Sequence, residues 1–232
     1  MANTLSKSGR PATASFDAAT NDALAEKAAR DQEDEVWLRA YQSGDVSGFE
    51  KLLKRHRSGV FTFCLKMLGE KSAAEDALQE IFLRVVKAAP KWKRQAKVRT
   101  WIYTIARNHC IDALRKARHR KTASLDQPLS KEEADGASLG EQTADDKAMA
   151  PDRGAAQTRI REALVSALAS LSEEQREVFV MREYAGMPFK EIASVVGVSE
   201  NTVKSRMRYA LEHMRAHLQK AGIGPSEGKG GS

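Results

Sequence analysis

Cysteine is scarce in this chain: Cys64 and Cys110 are the only two among 232 residues. They lie far apart and lack the paired spacing of a zinc site, which argues against both a disulfide framework and a metal knuckle. Each falls in an apolar-periodic stretch, so both are read as small buried residues of a reducing compartment. Long hydrophobic runs are missing as well. No segment approaches the roughly 18 consecutive apolar residues of a membrane span, and the polar start MANTLSKSGRPATASFDAAT lacks the h-region of a secretory signal. A cytoplasmic protein without membrane insertion is expected. Aromatic residues make up only 6% against 41% hydrophobic residues in all, as in small helical domains built on Leu, Ile, Val and Ala. Period-two alternation is absent too; apolar residues recur at three and four, which predicts helices throughout.

The chain does carry an excess of positive charge, +7 at neutral pH, which favours an anionic partner. The fold class expected is all-α, with two small helical domains on a flexible linker. Residues 1–32 are rich in Ala, Ser, Thr and charge and read as a disordered extension. Residues 33–120 form a first helical domain, basic toward its end, and residues 157–220 a second. Between them, residues 121–156 are polar, acidic and dotted with Gly, Pro and Ser. Such a composition buries too little apolar surface to offset its ordering entropy. Residues 221–232 read as a flexible tail.

The second block holds the sharper motif, starting at Pro188, which suits a first helical position. Phe189, Ile192, Ala193 and Val196 give a short helix one apolar face. Gly197 then permits a left-handed turn, and Ser199 is a natural cap for the helix that follows. On that helix Val203, Met207, Leu211, Met214 and Leu218 make an apolar stripe. Asn201, Thr202, Ser205, Arg208 and Tyr209 point the other way, with Lys204 and Arg206 on the flanks. This is the pattern of a helix-turn-helix: short polar groups and Arg read base edges in a major groove while flanking cations pair with phosphates. Upstream, Ile160, Leu164, Leu168 and Leu171 mark a supporting helix, and Val178, Phe179 and Met181 another.

In the first block, Leu78, Ile81, Phe82 and Val85 form a buried face, opposite Asp76, Gln79, Glu80, Leu83, Arg84 and Lys87. The nearby acids Glu75, Asp76 and Glu80 meet no converging ligands, so neither a metal site nor a catalytic pair is expected. Further on, Ile102, Ile105, Ala106 and Ala113 mark a core side. Around them Trp92, Lys93, Arg94, Lys97, Arg99, Trp101, Tyr103, Arg107 and Asn108 interleave cations with flat rings. Single-stranded DNA binding uses that mixture, charge for the backbone and rings for unstacked bases.

These segments resemble a known family. Leu171–Phe179, Glu191-Ile192-Ala193, Gly197-Val198-Ser199 and Thr202–Arg206 are similar to region four of sigma factors, and LuxR-type regulators share a related helix-turn-helix. Asp76–Val85 and Thr100–Asn108 resemble sigma region two, and Gly44-Asp45 and Gly48-Phe49 through Leu53 fit its opening helix pair. Their order, with only a linker between them, resembles the extracytoplasmic-function group of the sigma-70 family. The resemblance implies a non-enzymatic subunit of RNA polymerase without cofactors. It implies core polymerase binding, on the clamp of the largest subunit, through Asp76, Gln79, Glu80 and Leu83. It also implies minus-ten recognition and melting of promoter DNA by the loop and helix from Trp92 to Asn108, and minus-thirty-five recognition by Asn201 to Tyr209. The family commonly has an anti-sigma factor as a further partner. Two rivals remain at this point. One is a regulator that uses the helix-turn-helix without polymerase. The other is a recombinase with Tyr103 as nucleophile beside Arg99 and Arg107.

Overall fold

A computed structural model describes residues 12–125 and 151–223, and side chains over 25–120 and 157–223. Helix α1 runs Ala12–Gln42, α2 Val46–Leu68, α3 Lys71–Ala88 and α4 Val98–Leu125. Helices α5 to α8 follow as Pro151–Ala169, Glu173–Glu183, Phe189–Val196 and Glu200–Lys220. A short 3-10 turn, Ala89–Lys91, leads out of α3. No strand occurs among the described residues, in line with the all-α expectation.

The first unit is built around α2. Asp45 caps its start by accepting from the Ser47 amide at 2.9 Å, and Gly69, in the left-handed region at φ 83°, ends it. Helix α1 crosses α2 closely enough that a Cβ on Gly48 would stand 2.3 Å from the Trp37 carbonyl oxygen. Leu38, Leu52, Val60, Phe63, Met67, Ile81, Val85 and Ile102 are fully buried between α1, α2, α3 and α4. One polar cluster joins them: buried Asp34 accepts from Arg55 at 2.9 Å and meets His56 Nε2 at 2.7 Å. Both of its carboxylate oxygens are thereby satisfied, as a buried anion requires. Cys64 and Cys110 are buried as expected, and the fold brings them face to face, Sγ to Sγ 3.8 Å, across α2 and α4.

The second unit packs α5 to α8 around Leu168, Leu171, Val178, Val180, Met181, Met187, Ile192, Val195 and Val203. Ser172 opens α6 with a capping box that Gln175 closes. The stripe expected on α5 is buried only at its end. Leu168 and Leu171 are covered, but Ile160 and Leu164 stand exposed.

Two boundaries depart from expectation. Residues 12–32, expected as disordered tail, belong to α1; Asp31, Asp34, Glu35 and Leu38 tie its second half to the rest. The linker is shortened at both ends, since α4 continues to Leu125 and α5 starts at Pro151. The stretches 1–11, 126–150 and 224–232, on which the remaining tail and linker expectations fall, lie outside the described residues. The two units also touch, which periodicity alone gives no sign of: α6 packs on α2 and α7 on α4. Arg176 of α6 donates to the carbonyls of Leu168, Ala169 and Leu171 in its own unit and to Met67 of α2 at 3.1 Å. Lys66 of α2 lies over the Tyr184 ring, 5.3 Å from its centre.

The α1–α2 crossing yields a direct prediction. Gly48→Ala forces Cβ against backbone rather than a yielding side chain, so overpacking costs about 1–3 kcal/mol. Urea unfolding followed by circular dichroism should show the midpoint lowered with an unchanged slope.

Candidate nucleic-acid interface

Helices α7 and α8 meet through a left-handed turn. Gly197 takes φ 74°, ψ 33°, and its amide closes α7 on the Ala193 carbonyl. Two residues later Ser199, extended, accepts the Thr202 amide at 3.1 Å and so starts α8. Pro188 sits one position earlier than expected, as the N-cap of α7.

The buried face of α8 is Val203, Met207, Ala210 and Met214. Leu211, expected on that stripe, is 49% exposed: the register of four, three, four turns Ala210 inward instead. Leu211 then lines an open groove with Phe189, Met207, Arg208 and Arg215. On the opposite face Asn201, Thr202, Lys204, Ser205, Arg208 and Tyr209 are all exposed. Lys204 pairs with Glu200 at 2.7 Å, Ser205 donates to the Asn201 carbonyl, and Arg208 lies over the Tyr209 ring at 4.8 Å. Arg206 differs from its expected place. It turns inward to Glu177 at 3.4 Å, so it anchors α8 and does not flank the groove-facing surface.

On α3 the predicted division holds. Leu78, Ile81, Phe82 and Val85 are buried, while Asp76, Gln79 and Leu83 are exposed and Glu80 pairs with Arg84 at 3.0 Å. Leu83, at 53% exposure, is a large apolar group presented to solvent among charges.

Gln42 of α1 fixes the loop between α3 and α4 by donating to the Ala89 carbonyl at 2.8 Å and the Trp92 carbonyl at 3.0 Å. Trp92 and Trp101 are half-buried against each other, ring centres 6.4 Å apart. Lys93 and Asn108 are exposed, and Arg99 stands 5.9 Å from the Tyr103 ring centre. Tyr103 itself corrects an expectation. It is 3% exposed, with its ring edge-on to Phe63, so it offers no face to a base. Burial pushes its phenol up to about 12, and the same burial removes it as a candidate nucleophile.

The remaining cations of this surface are engaged by carboxylates from elsewhere in the fold. Arg94 pairs with Glu35 of α1 at 2.9 Å. Lys97 reaches Asp31 of α1 at 2.6 Å and Glu191 of α7 at 2.7 Å. Burial acts against its ammonium, but those two bonds outweigh it and raise the group above the ordinary lysine value. Arg118 pairs with Glu173 of α6. Arg107 donates through Nε to Glu177 at 2.7 Å. Glu177 has no solvent exposure at all; burial pushes its carboxyl up, and Arg107 and Arg206 pull it part of the way back.

Glu177 was not among the residues singled out from sequence, since one acid in an acid-rich helix start draws no notice. Its spacing carried the signal. It lies between Val178 and the capping residues, on the side of α6 that faces inward. Among the described residues no cluster of three His, Cys, Asp or Glu could hold a metal, and no helix is long and apolar enough to cross a membrane.

Comparison with known proteins bears on both units. Residues 52–120 match the family Sigma-70 region 2, and residues 161–214 match Sigma-70, region 4. The ECF RNA polymerase sigma factor SigL of Mycobacterium tuberculosis is 33% identical over 174 residues, covering 74% of this chain and 89% of SigL. The RNA polymerase sigma factor CarQ of Myxococcus xanthus is 29% identical over 181 residues, covering 78% of this chain and 95% of CarQ. Two solved structures share the fold. Sigma factor RpoE of Bartonella quintana, in complex with the anti-sigma factor NepR, has a TM-score of 0.56 at 19% identity, over 74% of this chain and 96% of that one. CnrH, in complex with the cytosolic domain of CnrY, has a TM-score of 0.58 at 22% identity, over 81% and 98%.

The α7–α8 turn should be sensitive to backbone chemistry alone. A Cβ on Gly197 meets nothing within 4 Å, so Gly197→Ala carries only the left-handed backbone cost, about 1–2 kcal/mol. Ser199→Ala should cost about 1 kcal/mol through the lost cap. Both are read as lowered urea midpoints.

Proposed function

The chain belongs to the extracytoplasmic-function sigma factors of the sigma-70 family, and from that premise we propose how its residues divide the work of promoter recognition. It is a polymerase-binding sigma factor of transcription initiation. Members of the family are generally not enzymes; in this reading the polymerase carries out the chemistry while the sigma chain supplies address and strand separation.

Duplex recognition at the minus-thirty-five element falls to α8. Asn201, Thr202, Ser205, Arg208 and Tyr209 face the base edges, and Lys204 pairs with a phosphate once it leaves Glu200. Arg206 acts through Glu177, holding the helix in its cradle. The observation that carries this assignment is the division of α8 into a buried apolar side and an exposed polar side behind the Gly197 turn.

The first unit engages core polymerase, on the clamp of its largest subunit, through Asp76, Gln79, Glu80 and Leu83. An exposed leucine within a polar rim suits a protein partner. Capture of the displaced minus-ten strand falls to Trp92, Lys93, Arg94, Lys97, Arg99, Trp101, Arg107 and Asn108. A base stacked on a ring gains about 1–3 kcal/mol, comparable to the few kcal/mol needed to extrude it, so opening requires no ATP. Two weak sites on one chain raise each other's effective concentration only when promoter spacing fits. RpoE of Bartonella quintana and CnrH are each seen bound to a partner protein that is named with them, and an anti-sigma factor is the corresponding partner proposed here. The family setting and the described helices, none of which could cross a membrane, support a cytoplasmic site of action.

Run-off transcription with purified core polymerase over a promoter library tests the reading: start sites should depend on the added chain. Lengthening the spacer of a responsive promoter by half a helical turn should abolish the product. Arg208→Ala should weaken minus-thirty-five binding by about 1–3 kcal/mol while leaving polymerase binding intact, and Leu83→Ala should do the reverse. A regulator that works without polymerase would instead bind its operator unaided and ignore Leu83→Ala.

A further inference from the structure

We propose that Gln42 is a positioning residue for minus-ten capture, and that one stripe of α1 is the template along which the capturing loop, residues 89–97, is laid. The proposal deepens the assignment of that loop to the melted strand made above and rests on it.

The stripe is Asp31, Glu35, Leu38 and Gln42. At 100° per residue these four fall within about 60° of arc, so they lie along a single line of the helix. Leu38 is fully buried and fastens that line to the core. The other three meet the loop in reverse order. Asp31 takes Lys97 at 2.6 Å and Glu35 takes Arg94 at 2.9 Å. Gln42 donates to the carbonyls of Trp92 and Ala89, at 3.0 and 2.8 Å. Loop and helix therefore run antiparallel along about 16 Å of α1.

Gln42 makes the contact that backbone chemistry most requires. Helix α3 and the 3-10 turn after it end here, and the last carbonyls of a helix have no donor within it. The Ala89 carbonyl takes the Trp92 amide at 3.1 Å. The two hydrogens of the Gln42 amide then bring a second donor to Ala89 and one to Trp92. Trp92 is thereby held at both its amide and its carbonyl, which fixes how its ring leaves the backbone to meet Trp101. Gln42 is the last residue of α1, and Gly44, at φ 100°, turns the chain toward α2. The close crossing at Gly48 sets how far its side chain reaches. Glu35 is steadied as well, since Arg39 donates to its other oxygen at 2.7 Å. Arg94 uses Nε for this pair and stays 73% exposed, so a strand can still reach its guanidinium.

A ring and a cation fixed before binding lose less freedom when a base arrives, and a fixed site fits one base better than another. The stripe thus adds base discrimination as well as affinity. All four of its residues precede the match of residues 52–120 to region two, so the helix ahead of the matched segment shares in strand capture.

The test uses holoenzyme assembled from the full chain and core polymerase. It captures from a pool of single-stranded oligonucleotides randomised across the minus-ten segment, and the captured strands are sequenced. Gln42→Glu keeps the side-chain length and turns both donors into oxygens that repel the two carbonyls. Gln42→Met keeps the length and removes the donors without adding charge. Both should flatten the base preferences of the captured pool and weaken binding of its consensus strand about tenfold, with core polymerase binding unchanged. Glu35→Gln, which weakens one tie only, should fall between them and the parent. Val60→Ala truncates a fully buried residue of α2 and controls for lost stability: its thermal midpoint should fall while its base preferences stay.

Undiminished preferences in both Gln42 variants, or preferences flattened equally by Val60→Ala, would overturn the positioning role. Failure of the underlying assignment looks different. The parent holoenzyme would then enrich no sequence, and Trp92→Ala with Lys93→Ala would form open complexes as well as the parent. That result would remove the loop from strand capture, and the role of Gln42 with it.

Discussion

Glu177 sets the constraint around which the second unit is arranged. Its side chain is enclosed by the hydrophobic packing of α6, so it needs positive partners in fixed positions. Arg206 answers from α8 and Arg107 from α4. One carboxylate therefore links the helix proposed to face duplex DNA to the helix proposed to follow the melted strand. Because burial works against the charge and the two guanidinium groups work for it, the site is balanced rather than inert.

The rest of the first unit is built for rigidity. The α1–α2 crossing relies on the missing Cβ of Gly48, and the Asp34–Arg55–His56 cluster pins α1 to α2 from the polar side. Gln42 then passes that rigidity to the loop, holding the Ala89 and Trp92 carbonyls so that Trp92 and Trp101 keep their mutual orientation. A loop fixed by hydrogen bonds to a helix suits the capture of an unstacked base better than a mobile one, since less ordering is needed on binding. The exposed face of α3, with Leu83, stands apart from this arrangement.

The helical pattern was legible in the residues themselves. Leu78, Ile81, Phe82 and Val85 on α3, and Val203, Met207 and Met214 on α8, are buried where three-and-four spacing placed them. Gly197 and Ser199 announced the turn and the cap because left-handed backbone and orphan amides select those residue types. The same reasoning failed where two readings of one face were both apolar. Leu211 and Ala210 compete for the inward position on α8, and only the packing against α6 and α7 chooses between them. Tyr103 looked like a stacking ring because it lies among cations, yet it is buried in the core beside Phe63.

Periodicity and turn chemistry determined the class of fold, since these depend on neighbours three to four residues apart, and the resemblance of the two motifs, in their order, pointed to the family. Tertiary structure alone decided which charges are free. Arg107 meets Glu177 seventy positions away, and Lys97 meets Glu191 ninety-four positions away. Nothing in local spacing encodes such pairings. They arise when separately legible helices dock and a buried carboxylate finds its countercharge across the contact.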